Sequence, residues 1–290
     1  MSTKLLQGCR AWAVAAVPLA MLCGAILAGC QEPVIGPVVA ARVETEANQL
    51  GTVAQTRPAA PERVVSLGKS VRGHELRMWV LGEGAPAEAN AQGAPPCGGT
   101  VLILGGVHGD EPGGAALADR FLEHLRANPD LLKGKCVAVL PRANPDGLAA
   151  KTRVNARGVD VNRNFPASNR DANWSGRYSA GADAAGEPET RAIMQAVDTL
   201  RPARIISIHA ISGGRQCNNW DGPAEELARR MAAKNRYPAK GSIGYPTPGS
   251  MGTWAGIDRK IPMITLELPE GLSDQECWRD NQQALLEAIR

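Results

Sequence analysis

Aromatic side chains are scarce in this chain of 290 residues, at 4%, and the formal net charge is only +3. Two of the positive charges, Lys4 and Arg10, fall within the first 29 residues, which contain no Asp or Glu. The rest of the chain carries 30 basic and 29 acidic side chains. Such a balance gives no electrostatic footprint for nucleic acid, and so few aromatics supply no stacking platform for bases. We therefore expect no nucleic-acid partner.

Side chains that commonly bind zinc are also few. The sequence contains no CxxC pair, which argues against a zinc site built from cysteines. It has only four histidines, which are His74, His108, His124 and His209. Any histidine-based metal site must therefore be drawn from this small set.

The N-terminus has the composition of a bacterial lipoprotein signal peptide. Lys4 and Arg10 precede an apolar segment from Ala11 to Ala28, which ends in the sequence LAGC at Cys30. A transmembrane helix and an ordinary secretory signal are the alternatives, since 18 apolar residues approach the spanning minimum. The LAGC ending favours a signal peptide over residues 1–29 and lipidation of Cys30. Gln31 does not resemble an aspartate-type retention signal, so we expect an outer-membrane anchor facing the periplasm.

Export would place the remaining cysteines in an oxidising compartment, where two disulfides are possible. We predict a disulfide between Cys97 and Cys136, because each stands a few residues before a predicted buried strand. Cys217 and Cys277 would form the second pair.

The residues after Cys30 divide into a tether and one domain. Residues 30–61 are rich in Pro, Ala, Val, Thr and Gln without a helical or strand period, which is typical of a flexible tether. A hairpin over residues 63–81 follows, and then apolar strands alternate with helical segments. The strands are predicted at 101–104, 137–140, 205–208 and 263–268, and the helices at 112–125, 188–200, 224–233 and 273–289. This alternation predicts a single α/β domain over residues 62–290, with a mixed, largely parallel central sheet flanked by helices.

His108 and Glu111 follow the first buried strand with a spacing of three, which places both side chains on one face where a turn enters a helix. His209 follows the predicted strand 205–208 and is the candidate for a third ligand. Two histidines and one carboxylate with an open fourth position form a catalytic zinc set. An ordinary helix N-terminus is the alternative for the HxxE pair by itself. We assign no special role to His74 or His124.

Two further features suggest chemistry near such an ion. Glu267 lies inside the apolar strand 263–268, where a carboxylate costs free energy unless a positive charge, such as a zinc ion, is close. Residues 153–166 contain several arginines, whose guanidinium groups suit the binding of a carboxylate and the polarisation of a carbonyl.

These motifs resemble those of the zinc carboxypeptidases, and they occur in the same order. They are HxxE at 108–111, NPDG at 144–147, RxNxxGVDxNRNFP at 153–166, GEPET at 186–190, SIH at 207–209 and TLEL at 265–268. Within that family, the segment GYPTPGSMGTW at 244–254 and the compact size most resemble the murein peptide amidases. Those enzymes cut the γ-D-glutamyl–diaminopimelate bond of cell-wall peptides. The resemblance covers the chain from about residue 105 to residue 269.

The resemblance implies one zinc ion held by His108, Glu111 and His209. Ala210 follows the third ligand, where relatives often have a polar residue, so the support of His209 by a neighbouring side chain is in question. The position that selects the substrate side chain is not indicated by the sequence.

The resemblance also implies roles for residues that contact the substrate. Arg153 matches the arginine that polarises the scissile carbonyl, while Asn162 and Arg163 match the pair that binds the free carboxylate of the leaving residue. Tyr245 matches a substrate-contacting tyrosine, and Glu267 matches the general base. The expected partner is a murein tripeptide. We expect a monomer that is attached to the membrane only through its lipid anchor.

Other functions fit parts of this pattern. A general metallocarboxypeptidase would use the same residues on ordinary C-terminal residues. An acylase of the aspartoacylase or succinylglutamate desuccinylase type shares HxxE and an NR motif, although complete NPDG and GEPET segments count against it. An inactive lipoprotein that only binds cell-wall peptide is the non-enzyme alternative, which zinc content and measured turnover would distinguish from an enzyme.

Overall fold

The computed structural model describes residues 60–82, 99–171, 174 and 178–290, which all lie in one compact unit. The predicted signal peptide, Cys30, Cys97 and residues 30–59 of the predicted tether lie outside these ranges, so the predictions made for them remain predictions. Among the described residues, no helix has both the length and the apolar character needed to cross a membrane.

Eight strands of the described chain form one mixed sheet in the order β1-β2-β4-β3-β5-β8-β6-β7. Their bounds are β1 Glu62–Lys69, β2 Glu75–Leu81, β3 Thr100–Leu104, β4 Cys136–Leu140, β5 Arg204–Ile211, β6 Cys217–Asp221, β7 Ala239–Lys240 and β8 Met263–Pro269. The four central strands β4, β3, β5 and β8 are parallel, and antiparallel pairs join β2 to β4 and β6 to β8. The predicted mixed, largely parallel sheet is confirmed.

Five α-helices flank the sheet within the described ranges. They are α1 Pro112–Ala127, α2 Pro145–Ala150, α3 Pro188–Leu200, α4 Glu225–Asn235 and α5 Asp274–Ala288. The segments Pro129–Leu132 and Val161–Arg163 are 3₁₀-helical, and Gly252–Asp258 is a π-helix. Four of the α-helices match predicted ones, while the short helix α2 was not predicted.

The helices bury apolar stripes on both faces of the sheet. Phe121 of α1, Met231 of α4 and Leu285 of α5 belong to one buried apolar cluster, together with Ile206 of β5. Ile193 and the rest of the apolar side of α3 belong to a second cluster, which includes residues of β1, β2 and the π-helix. Because the central strands are covered on both faces, they consist of nearly continuous apolar residues, as in other parallel sheets.

The cysteines do not all pair as predicted. Cys217 and Cys277 are both buried free thiols, so their predicted disulfide is wrong. Cys217 lies opposite Glu267 in the β6–β8 ladder, whereas Cys277 packs against Gly113 in the α1–α5 contact, so the two thiols have different neighbours. Burial raises the pKa of each thiol to about 11. The Cys97–Cys136 pairing stays a prediction, because Cys97 lies outside the described residues.

Candidate active site

The predicted metal-binding side chains meet at the carboxyl ends of three neighbouring parallel strands. His108 lies in the turn after β3, His209 lies inside β5, and Glu267 lies in the adjacent β8, directly opposite His209 in the ladder. The strand that contains His209 is four residues longer than predicted, and three of the additional residues lie at its carboxyl end. Such an edge is where open α/β sheets place their ligands.

The turn that carries His108 and Glu111 is fixed by contact with the NPDG segment. A Cβ atom on Gly109 would lie 1.9 Å from the backbone of Gly147, so only glycine allows this approach. Asn144 accepts a hydrogen bond from the Gly147 N–H at 2.9 Å and donates its side-chain amide to the Val107 carbonyl at 3.2 Å. NPDG therefore acts as a scaffold for the loop between β3 and α1.

The side chains of His108, Glu111 and His209 converge on one point. His108 Nδ1 lies 2.8 Å from Glu111 Oε1, and His209 Nδ1 lies 3.0 Å from both Glu111 Oε2 and His108 Nδ1. All three residues are buried, at 2%, 8% and 2% exposure respectively. Their candidate ligand atoms all lie within 4.8 Å of one another, which makes them a group that can hold a metal ion.

The outer nitrogens of both imidazoles have partners that orient the rings for metal binding. His108 Nε2 lies 3.2 Å from Asp160 Oδ1, and His209 Nε2 lies 2.9 Å from Ser207 Oγ. A proton on each Nε2 leaves the Nδ1 lone pairs facing each other and the Glu111 carboxylate. Metal-binding histidines generally have this outer hydrogen bond, so the donor set fits zinc. Ser207 thus supplies the support of His209 that Ala210 left in question.

The buried histidines and carboxylates of the cluster shift one another's pKa values. Although burial opposes the charged form, the Glu111 and Asp160 carboxylates raise the pKa of His108 to about 9. Despite burial, His108 and His209 hold the pKa of Glu111 well below its usual range. Burial lowers the pKa of His209, so a second proton on that ring is disfavoured. A cation that replaces the ring protons would satisfy the same carboxylates.

Glu267 is 5% exposed and lies on the same cavity as the cluster. Burial, and next the negative charge of Glu111, raise its pKa to about 7. A carboxyl group with a pKa near neutrality is suited to exchange a proton with a reacting group. The raised pKa shows that burial disfavours the charged form of Glu267, in agreement with the expectation that this carboxylate needs a positive charge nearby.

Arg153 reaches the cluster from the segment 153–166. Its Nε donates to Asp160 Oδ2 and its Nη1 donates to Glu111 Oε1, both at 2.9 Å. Asp160 therefore joins Arg153 to His108. Arg153 also lines the cavity that contains Glu267, as its predicted contact with a substrate carbonyl requires.

Asn162, Arg163 and Tyr245 lie on that cavity as well. Asn162 is positioned by its side-chain oxygen, which accepts from the Met251 N–H at 2.9 Å, and Arg163 is buried with one guanidinium N–H donated to the Asn162 carbonyl at 2.7 Å. Tyr245 is 42% exposed and lies in the loop between β7 and the π-helix. The structure thus brings together every predicted site residue within its described ranges.

The GEPET segment stabilises the segment 153–166 through hydrogen bonds. Glu187 and Glu189 accept hydrogen bonds from the Asn155 amide at 2.7 Å and 2.9 Å, and Glu189 also accepts from the Val71 N–H at 3.1 Å. His74 Nδ1 lies 2.6 Å from the Asp146 carboxylate. Neither His74 nor His124 belongs to the candidate metal group.

One end of the cavity carries hydrogen-bond acceptors that sequence reasoning missed. Asn219 is 8% exposed, and its Oδ1 has no hydrogen-bond partner among the described residues. Asp221 lies beside it, and burial raises the pKa of Asp221 to about 6. Both project from β6, a strand that was not predicted, because its sequence CNNWD has no apolar alternation.

Comparison with known proteins decides the family. The model of the zinc carboxypeptidase family matches residues 50–276 of this chain. The chain belongs to the zinc carboxypeptidases. It is accordingly a metallopeptidase-type hydrolase whose cofactor is one zinc ion, in agreement with the His108, Glu111 and His209 cluster.

Two murein-peptide enzymes are among the similar zinc carboxypeptidases. Murein peptide amidase A of Escherichia coli (strain K12) is 33% identical over 231 residues, covering 76% of this chain and 86% of that protein. The crystal structure of murein-tripeptide amidase MpaA from Escherichia coli O157 matches with a TM-score of 0.61 and 30% identity, covering 81% of this chain and 96% of that one. Carboxypeptidase SOL1 of Arabidopsis thaliana is 28% identical over 271 residues, covering 78% of this chain and 51% of that protein.

Proposed function

We propose that this zinc carboxypeptidase hydrolyses the γ-D-glutamyl–meso-diaminopimelate bond of murein peptides. In this proposal His108, Glu111 and His209 hold the zinc ion and Glu267 is the general base. The observation that carries the catalytic part is the convergence of three buried ligand atoms beside a carboxyl group whose pKa is near neutrality. Bound zinc would polarise the scissile carbonyl and acidify the attacking water.

The remaining steps belong to side chains of this chain. Glu267 accepts a proton from the attacking water and returns it to the departing amine. Arg153 donates to the carbonyl oxygen as negative charge develops there, and its ion pairs with Asp160 and Glu111 hold the guanidinium in place. Asn162 and Arg163 bind the free carboxylate of the leaving residue, which selects a terminal amino acid.

The acceptors at the end of the cavity support a leaving residue with a distal amine. The Asn219 Oδ1, which has no partner among the described residues, and the half-buried Asp221 carboxylate suit an ammonium group, and a cation there would offset the cost of partly desolvating Asp221. Diaminopimelate carries an ammonium at the far end of its side chain. The similarity to two murein-peptide amidases supports the same substrate.

A general carboxypeptidase acting on C-terminal Lys or Arg is the second candidate, because their side chains also place a cation near Asp221. The 28% identity to a plant carboxypeptidase favours testing it directly. An inactive peptide-binding lipoprotein is disfavoured, since the candidate zinc ligands and Glu267 are all in place.

We expect the purified domain to cleave L-Ala-γ-D-Glu-meso-diaminopimelate between glutamate and diaminopimelate. The comparison is kcat/KM for this tripeptide and for α-linked tripeptides ending in Lys, Arg, Ala or Phe. We expect the γ-linked tripeptide to be the best substrate, because it combines a terminal carboxylate with a distal amine. Faster cleavage of the α-linked Lys or Arg peptides would replace the amidase proposal with the general carboxypeptidase.

We also propose that the protein is exported and anchored to the outer membrane through a lipid on Cys30, with its domain in the periplasm. The support is the LAGC sequence that ends the apolar segment, together with the murein location of the proposed substrate. The proposal includes the predicted tether between this anchor and the domain.

Cys30→Ser should block lipidation and shift the protein from the membrane fraction to the soluble fraction, or leave the signal uncleaved. Membrane fractionation and mass analysis of the mature N-terminus measure this. Cys23→Ser, which changes a cysteine inside the predicted signal peptide, is the matched control and should leave anchoring intact. Identical fractionation of the Cys30→Ser variant and the original protein would exclude the anchor.

A further inference from the structure

A second cavity adjoins the candidate active site and contains an arginine with no assigned role. Arg215 lies in the loop between β5 and β6 and lines this cavity of about 420 Å³. Glu111, Arg153 and Arg163 line both this cavity and the one that contains Glu267. The two cavities therefore meet at the candidate metal cluster.

In the proposed function, the two cavities hold the two parts of the substrate on either side of its scissile bond. Asn219 and Asp221 line only the cavity that contains Glu267, which in the proposed function receives the leaving residue. The acyl part of the substrate must then lie on the opposite side of the cluster, in the cavity lined by Ser212, Arg215 and Glu270.

Arg153, Arg163 and Arg215 line this acyl-side cavity, and the first two already have other partners or assigned roles. Arg153 is paired with Asp160 and Glu111, and Arg163 is assigned to the leaving carboxylate. Arg215 forms no ion pair with any described residue, although Asp110 and Glu270 line the same cavity. Its Nε donates to the Ser212 carbonyl at 3.1 Å. That bond orients the guanidinium, and its two Nη groups make no hydrogen bond within the described ranges.

Arg215 lies near the reacting groups, because its guanidinium and the candidate ligand Glu111 line the same cavity. An unpaired guanidinium near the acyl side of a scissile bond suits a carboxylate, which it can bind through two parallel hydrogen bonds.

A γ-linked glutamyl residue offers its α-carboxylate in this region, whereas an α-linked residue with a neutral side chain offers no carboxylate. When glutamate is joined through its side-chain carboxyl group, its α-carboxylate remains free a few bonds from the scissile carbonyl. In an ordinary α-linked peptide the main-chain carboxyl group is itself the scissile carbonyl. A free carboxylate on the acyl side therefore distinguishes a γ-linked glutamyl residue from an α-linked residue with a neutral side chain.

We propose that Arg215 binds the free α-carboxylate of the γ-linked glutamyl residue and thereby selects γ-linked over α-linked peptides. This inference rests on the proposed function, because it assigns the acyl half of that substrate. It makes Arg215 a specificity-determining residue that takes no part in proton transfer or in zinc binding.

The test compares two peptides that differ only at this carboxylate. One is L-Ala-γ-D-Glu-meso-diaminopimelate, and the other has the glutamyl α-carboxylate converted to an amide. The original protein should prefer the acid by about 10-fold or more in kcat/KM, the scale of a charge-assisted hydrogen bond. Arg215→Ala should lose about the same factor on the acid and change little on the amide, so that the preference disappears. Arg215→Lys should retain part of it.

Arg229→Ala is the matched control, because it removes an exposed arginine of α4 that lines neither cavity and should leave both rates unchanged. Equal losses on the acid and the amide in Arg215→Ala would overturn the inference, since a structural role predicts no discrimination. Cleavage of the acid with no preference over the amide in the original protein would also overturn it while leaving the proposed function intact. Failure to cleave either peptide would instead count against the proposed function itself.

Discussion

Glu267→Gln is expected to lower kcat by at least ~100-fold while the protein continues to bind one zinc ion, because general acid–base catalysis contributes about 10²- to 10⁴-fold. The substitution keeps the size of the side chain and removes its ability to accept a proton. Glu267 lies opposite His209 in the ladder but is not one of the three residues whose ligand atoms converge. The variant should therefore lose catalytic activity and still bind zinc.

The measurement is kcat on the tripeptide together with zinc content by elemental analysis of the same preparation. Glu226→Gln is a matched control, because it makes the same carboxylate-to-amide change on an exposed side chain of α4 that lines neither cavity. A Glu267→Gln variant with near-normal turnover would mean that another group is the base. A variant that loses zinc as well would place Glu267 among the ligands.

His209→Ala is expected to abolish activity by removing zinc. The three ligand atoms converge because β3 and β5 are adjacent parallel strands, so deletion of one imidazole leaves only His108 and Glu111. Loss of an outer hydrogen-bond partner typically costs about 10- to 100-fold in metal affinity, and loss of a direct ligand should exceed about 100-fold. We expect the variant to be isolated without zinc and to show a weakened affinity in competition with a chelator.

The control for this variant is His124→Ala, which removes a histidine from α1 whose ring contacts Asn128 and Gln282 outside the cluster. Circular dichroism of both variants shows whether they remain folded. Ser207→Ala keeps His209 but removes the hydrogen-bond partner of its Nε2. This variant should bind zinc more tightly than His209→Ala and more weakly than His124→Ala. Stoichiometric zinc in folded His209→Ala would disprove the assignment of His209 as a ligand.

The sequence by itself determined the fold class and the identity of the cluster. Apolar segments such as 101–104 and 205–208 are typical of strands buried on both faces of a parallel sheet, and a polar residue that follows such a segment lies at its carboxyl edge. His108, Glu111 and His209 could therefore be predicted to meet. Glu267 could be singled out because a carboxylate in an apolar strand requires compensation.

Tertiary structure alone decided which side chains support the site and which line its two cavities. Asp160 and Ser207 stood within the recognised motifs, but their contacts with the imidazoles depend on distances between segments that are far apart in sequence. Asn219 and Asp221 lie on β6, whose polar sequence gives no strand signal and which forms because β8 offers it an antiparallel partner. The same long-range placement separates Cys217 from Cys277 and brings Arg215 to the acyl-side cavity. Local sequence pattern carries no information about such distances, because they are set by how whole elements pack.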